Sequence, residues 1–200
     1  MRDSYVAKFL RLRCAGDVLE SIQPINRPRF DDEISEAMAL VGAIRGKILK
    51  EPNRWKIVDI CAGNVLTGVI AAHLLPVECV TLHKWRVKPD GELLAKVRGL
   101  KVKTDADWSS IFDNNTIVVS ASPNYDIAVE IANRCAVNNV PLAMTPANSK
   151  VAGGDKAEKR SVHSRYEYLL NSIVDQALDA KFKMDTRIVS ENFGIVTMGL

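Results

Sequence analysis

Residues 55–75, WKIVDICAGNVLTGVIAAHLL, constrain this chain more than any other stretch. An apolar run ending in an acid passes through a small-residue turn into an apolar helix with almost no gap. The strand over residues 56–60 reads as one buried in a parallel sheet, and Cys61-Ala62-Gly63 turns it sharply into the helix. Asn64 suits the N-cap and Pro76 the stop. Small residues let a ligand approach the turn backbone, and Gly63 tolerates positive φ. The helix start adds open amides and partial positive charge, which favour a carboxylate or phosphate. This is the shape of a nucleotide-cofactor pocket, although many α/β proteins without a cofactor share it.

The surrounding sequence supplies a sheet for that unit. From Trp55 onward strands, expected over residues 56–60, 77–83, 100–103, 116–121 and 141–145, alternate with helices, which argues for parallel pairing with right-handed crossovers. Residues 125–137 place Ile127, Ile131 and Cys135 on one helical face, and residues 155–180 read as a long helix with a broad apolar stripe. Residues 186–190 and 193–198 are β-rich runs separated by Glu191 and Asn192, the spacing of a hairpin. The loop over residues 145–155 is the expected mobile element.

Residues 1–50 read as an N-terminal helical extension and 51–200 as the sheet domain. Tyr5, Val6, Phe9 and Leu10 mark one helical segment, and residues 23–29 break it. A second helix begins near Asp31, with Ile34, Met38, Val41, Ile44 and Ile48 at helical spacing and three acids at its positive end. It is expected to pack on the sheet edge or cover the pocket.

Composition narrows the class. The chain has 200 residues, 47% of them hydrophobic and 26% charged, a balance that suits one globular domain and excludes a disordered one. No segment reaches the roughly 20 apolar residues of a membrane span, and Met1 opens a charged segment rather than a signal peptide, so a cytoplasmic location is expected. Cys14, Cys61, Cys79 and Cys135 are far apart and His73, His83 and His163 are scattered, which supports neither a disulfide framework nor a metal site. The net charge is only +3, yet Arg2, Lys8, Arg11 and Arg13, and then Lys84, Arg86 and Lys88, form dense basic runs. Such runs meet nucleic acid or are merely a solvated face.

Taken together, VDICAGN at residues 58–64, the LLP-terminated helix and the terminal hairpin resemble the class I S-adenosylmethionine-dependent methyltransferases over about residues 31–200. The resemblance implies a Rossmann-like three-layer α/β sandwich, with a mostly parallel seven-stranded sheet and an antiparallel C-terminal hairpin. Its cofactor would be S-adenosyl-L-methionine, held by Asp59, Cys61, Ala62, Gly63 and Asn64, with Ser120 also against it. Two departures stand out: Cys61 and Val65 replace family glycines, and His83 replaces the acid that ends the second strand and holds the ribose, offering one hydrogen bond instead of a carboxylate's paired acceptors. Asp105 falls where related enzymes keep an acid by the adenine amino group, with Ala106 and Trp108 beside it; loop acids around a core tryptophan are the plainer reading.

Ser122-Pro123-Asn124-Tyr125 is similar to the (Asp/Asn/Ser)-Pro-Pro-Tyr motif of amino methyltransferases, with Asn124 for the second proline; a turn that caps the next helix is the plainer reading. In-line methyl transfer needs positioning and desolvation more than a protein nucleophile. The candidates at the carboxyl ends of strands four and five are Ser120, Ser122, Asn124, Tyr125, Thr145 and Asn148. Three readings follow. One is an active methyltransferase of unknown acceptor, with RNA or other nucleic acid favoured. Another is an inactive relative serving as a partner subunit, a homo-oligomer or a nucleic-acid scaffold. The third is an NAD(P)-dependent oxidoreductase, against which stand Cys61 and Leu66 in place of dinucleotide-turn glycines.

Overall fold

A computed structural model describes residues 3–22, 29–60, 65–83, 94–103, 111–145, 166–167, 169–171, 179–190 and 193–200. Three helices come first, α1 (Tyr5–Leu10), α2 (Ala15–Ile22) and α3 (Phe30–Lys50). There follow β1 (Lys56–Ile60), α4 (Leu66–Leu74), β2 (Cys79–His83), β3 (Leu100–Lys103), β4 (Thr116–Ala121), α5 (Tyr125–Val137), β5 (Leu142–Thr145), β6 (Lys181–Met184) and β7 (Gly194–Met198).

The seven strands form one sheet in the order β3-β2-β1-β4-β5-β7-β6. The first five are parallel, and β7 runs antiparallel to both β5 and β6. Alternation along the strands feeds two cores. Ile57, Val80, Leu82, Ile117, Val119 and Ala143 meet α1 to α4 on one face, while Val58, Ile60, Val118, Leu142 and Met144 meet α5 and Tyr166 on the other. This is the expected three-layer sandwich. The strand β4 is buried along its whole length, as its apolar Ile117 to Val119 and its central position require.

Three expectations are corrected. The hairpin strand expected over residues 186–190 is instead Lys181–Met184, and residues 185–190 lie in the connection, pinned by Asp185 N donating to Phe193 O at 2.8 Å. β-branched Val189 and half-buried Arg187 suggest a strand, but Lys181 to Met184 pairs in register with β7, and Gly194 lets it do so: a Cβ there would stand 2.3 Å from the Phe182 ring. Helix α4 begins at Leu66 with Val65, not Asn64, in the capping position, and Val65 is left-handed with φ of 56°. Helix α3, expected on the sheet edge or over the pocket, packs on the face of β4 and β5 with Glu36 at the strand ends, so the edge alternative alone fails. Helix α5 has the expected bounds, while the long helix is seen only where residues 166–167 and 169–171 are helical.

Two contacts lock the layers. Helix α4 crosses the sheet so closely that a Cβ on Gly68 would lie 2.2 Å from Leu82 Cδ2 and 3.3 Å from Asp59 Oδ2. At the other end of the fold Tyr5 of α1 donates to Asp185 Oδ2 at 2.8 Å, and Arg187 grips the same carboxylate while stacking 4.5 Å from the Tyr5 ring centroid. Burial alone would raise the Asp185 carboxyl, but hydrogen bonds from Arg187 and Tyr5 outweigh it and hold its pKa at about 2. Burial and the neighbouring carboxylate together push the Tyr5 phenol well above its ordinary range.

Gly68→Ala is expected to destabilise the fold by about 1–3 kcal/mol through overpacking against Leu82. Gly46→Ala, on an open face of α3 with no atom within 4 Å, is expected to gain about 0.5–1 kcal/mol from helix propensity; urea denaturation of both variants checks the contrast. Because the folded-state pKa of Asp185 lies below that of an unfolded aspartate, its contribution is fully present above about pH 4 and is lost as the pH falls towards 2. Asp185→Asn should therefore cost on the order of 2 kcal/mol at neutral pH and flatten acid unfolding in that window, read from melts between pH 2 and 7.

Candidate functional site

Strands β1 and β4 lie side by side, yet the crossovers leaving them run in opposite directions along the sheet, β1 to β2 and β4 to β5. Open α/β sheets bind ligands in the crevice outside the carboxyl ends of two such strands. Here their register runs from Lys56↔Thr116 only as far as Asp59↔Val119. Beyond it the Ile60 carbonyl takes the Ser120 hydroxyl at 2.7 Å instead of a ladder partner. Ser120, expected to touch a cofactor, is thus fully buried and holds the lip of the crevice.

Asp59 is likewise buried, and its Oδ2 accepts the Gly68 amide at 3.0 Å in the first turn of α4. The carboxylate neutralises the positive helix end from below, so its contribution to a ligand acts through the placement of α4. Val65 precedes that turn in a left-handed conformation unusual for a β-branched residue, the place of a family glycine. Its side chain is buried in the α1 to α4 core, which absorbs the bulk. Thr67 in the same turn is fully buried, and its hydroxyl finds no hydrogen-bond partner. His83 ends β2 beside Ile60 and is buried too. Cys61, Ala62, Gly63, Asn64, Asp105, Ala106, Trp108 and Asn148 lie outside the described residues.

The carboxyl ends of β4 and β5 carry the densest polar arrangement. Ser122 follows β4 with φ of 53°, left-handed without being glycine. Its amide donates to the Thr145 carbonyl at 2.6 Å, and its hydroxyl donates to Glu36 Oε2 at 2.6 Å. The Thr145 hydroxyl donates to the same Glu36 oxygen at 3.4 Å. Glu36 is 4% exposed. The structure thus brings Ser122 and Thr145 together as expected and adds a carboxylate that the sequence reading missed. The signal was present: Glu36 heads the row Leu40, Ile44, Ile48 at four-residue spacing on α3, all fully buried, so an acid in that row points into the interior.

Asn124 does what the plainer reading expects. Its side chain accepts the Ile127 amide at 3.0 Å and caps α5, leaving it exposed and committed to the helix. Half-buried Tyr125 opens that helix beside Ser122. A serine hydroxyl that donates to a carboxylate is polarised as an acceptor, the property needed to align the N–H or O–H of an incoming nucleophile. Among the described residues no group of three or more metal-ligating side chains forms, and no helix is long and apolar enough to cross a membrane.

No protein-family model matches the chain, and no curated protein matches it in sequence. Solved structures do resemble it. The plantazolicin methyltransferase BpumL in complex with SAH superposes with a TM-score of 0.54 and 12% identity, covering 98% of this chain and 95% of that one. The ribosomal protein L11 methylase of Lactobacillus delbrueckii subsp. bulgaricus gives 0.53 and 7% identity over 80% and 77%. The chain has the class I S-adenosylmethionine-dependent methyltransferase fold.

Removing the Glu36 carboxylate leaves the buried Thr145 hydroxyl and the half-buried Ser122 hydroxyl without their acceptor. Glu36→Ala should cost about 1.5–3 kcal/mol and Glu36→Gln, which keeps an acceptor oxygen in place, distinctly less, both by chemical denaturation.

Proposed function

We propose that this protein is an S-adenosylmethionine-dependent methyltransferase that binds its cofactor across the carboxyl ends of β1 and β2 and its acceptor beside β4 and β5. The observation that carries the reading is the switch point between β1 and β4, with the Glu36–Ser122–Thr145 network at the strand ends beside it, in a sheet that ends on a reversed hairpin. A dinucleotide-dependent oxidoreductase accounts less well for that hairpin and for a buried acid at Asp59.

The residues present fit the cofactor. Thr67, buried and unpartnered at the first turn of α4, supplies a hydroxyl next to a helix N-terminus, a combination suited to the carboxylate of the methionine moiety. Cys61, Ala62, Gly63 and Asn64 would line the turn against that moiety, His83 would meet the ribose with a single hydrogen bond, and Asp105 and Ala106 would face the adenine. Asp59 and Ser120 act at one remove, setting α4 and the strand ends.

When bound, the cofactor supplies an electrophilic methyl group on a sulfonium. This chain's own work is positional. Ser122, held left-handed by its bonds to Thr145 and Glu36, aligns the acceptor, and Tyr125 and α3 exclude water from it. Ser122 and Tyr125 are the residues proposed to touch the acceptor, with Asn124 supporting them as the cap of α5.

The alternative, a partner subunit that has lost the cofactor, draws on His83 and Val65 at positions the family fills otherwise. One experiment separates the three. A saturating concentration of S-adenosylmethionine or S-adenosylhomocysteine, near 100 times its Kd, is expected to raise the melting temperature by about 5–10 °C, and NADPH is expected not to. Gly63→Arg should abolish the shift. No shift with either sulfur ligand, confirmed by calorimetry, would favour the partner-subunit reading.

A further inference from the structure

A cavity away from that crevice is bounded by α1, α3, the end of α4 and the β6–β7 hairpin. It has a volume of about 720 Å³, and a second cavity of about 410 Å³ shares Lys183, Asp185 and Arg187 with it, so the two adjoin along the hairpin. Four cations line the first: Lys8, Arg45, Lys183 and Arg187. Its one carboxylate, Asp185, is already spent on Tyr5 and Arg187. Among the described residues Lys8, Arg45 and Lys183 have no carboxylate partner, in a chain whose overall net charge is only +3.

The chemistry of this lining selects its ligand. Lysine and arginine offer donors and no acceptor, so the cleft suits a molecule whose outer surface is acceptors carrying negative charge. A phosphodiester strand is such a molecule, and its bases can lie on the apolar part of the lining, Leu12, Met38 and Leu75. The cleft is also longer than one phosphate needs, from Arg45 on α3 to Val189 on the hairpin connection. That far end is tied to the site: the Val189 amide donates to Ser35 Oγ at 3.1 Å, and the next residue, Glu36, holds Ser122 and Thr145.

We propose that this cleft seats the phosphodiester backbone of a single-stranded nucleic acid and that the strand is the methyl acceptor, carried past Ser35 to the crevice at Ser122. The inference rests on the methyltransferase reading for the second half of that statement only. Lys8 is the one residue of the first basic run that lines the cleft; the second run, at Lys84, Arg86 and Lys88, lies outside the described residues.

The test is fluorescence anisotropy of labelled RNA and DNA strands of about 12 nucleotides, a length that fills such a groove, on the full chain across a salt series. With three to four phosphates engaged, log K should fall against log salt with a slope of about −2 to −3 for the wild type. The triple variant Lys8→Gln, Arg45→Gln, Lys183→Gln should bind at least about tenfold more weakly with a slope no steeper than about −0.7, having kept at most one contact. Arg134→Gln, on α5 across the sheet, should bind as the wild type does. Equal melting temperatures establish that the variants fold, and S-adenosylhomocysteine calorimetry is run on each. Unchanged affinity and slope in the triple variant would overturn the proposal, as would poly-glutamate displacing the strand at equal charge concentration. Strand binding without cofactor heat would keep the cleft and retire the methyltransferase reading; cofactor heat without strand binding would do the reverse.

Discussion

The arrangement depends on one pairing, that of β1 with β4, and on its stopping early. Two parallel strands whose helices leave in opposite directions cannot be covered by a helix at their carboxyl ends, so the sheet opens there by construction. Ser120 satisfies the last carbonyl of β1 from within β4 and so allows the strands to part without orphaning a buried backbone group. The polar groups gathered around that opening, Asp59 beneath α4 and Glu36 beneath Ser122, are buried with partners, which makes the site rigid as well as open.

Much of this was legible in the sequence because burial on both faces leaves a simple signature. Strands β1, β3 and β4 and helix α5 have the expected bounds, since continuous apolar runs and clear turn residues mark them. The hairpin was legible as a hairpin but not in register. KFKM, at Lys181 to Met184, carries two lysines and follows directly on the long helix expected to end at residue 180; only pairing with β7 and the stacking of Phe182 on Tyr166, 4.1 Å between centroids, make it a strand. Edge strands commonly carry lysine for the same reason that they are hard to recognise: one side faces water.

The site was half legible. Local turn chemistry pointed to Asp59 and to Ser122, and chain order placed Ser122 and Thr145 at adjacent strand ends. What joined them was a side chain from α3, some 86 residues before Ser122 in the chain. No local pattern expresses such a contact, although the acid in an otherwise apolar row records its burial. Ser120 and Asn124 show the opposite failure: residues of the right type and place whose polar atoms the fold itself consumes.

The bond between Tyr5 and Asp185 spans 180 positions of the chain. Loop-closure entropy delays such contacts, and a ribosome adds residues at roughly 5–20 per second, so α1 emerges about ten seconds or more before its partner exists. Until the hairpin is made, Phe9 and the neighbouring apolar face of the first helices have only an unfinished sheet to cover. Helix α1 is therefore among the last elements to be secured, and its apolar face stays open to other contacts until the hairpin forms.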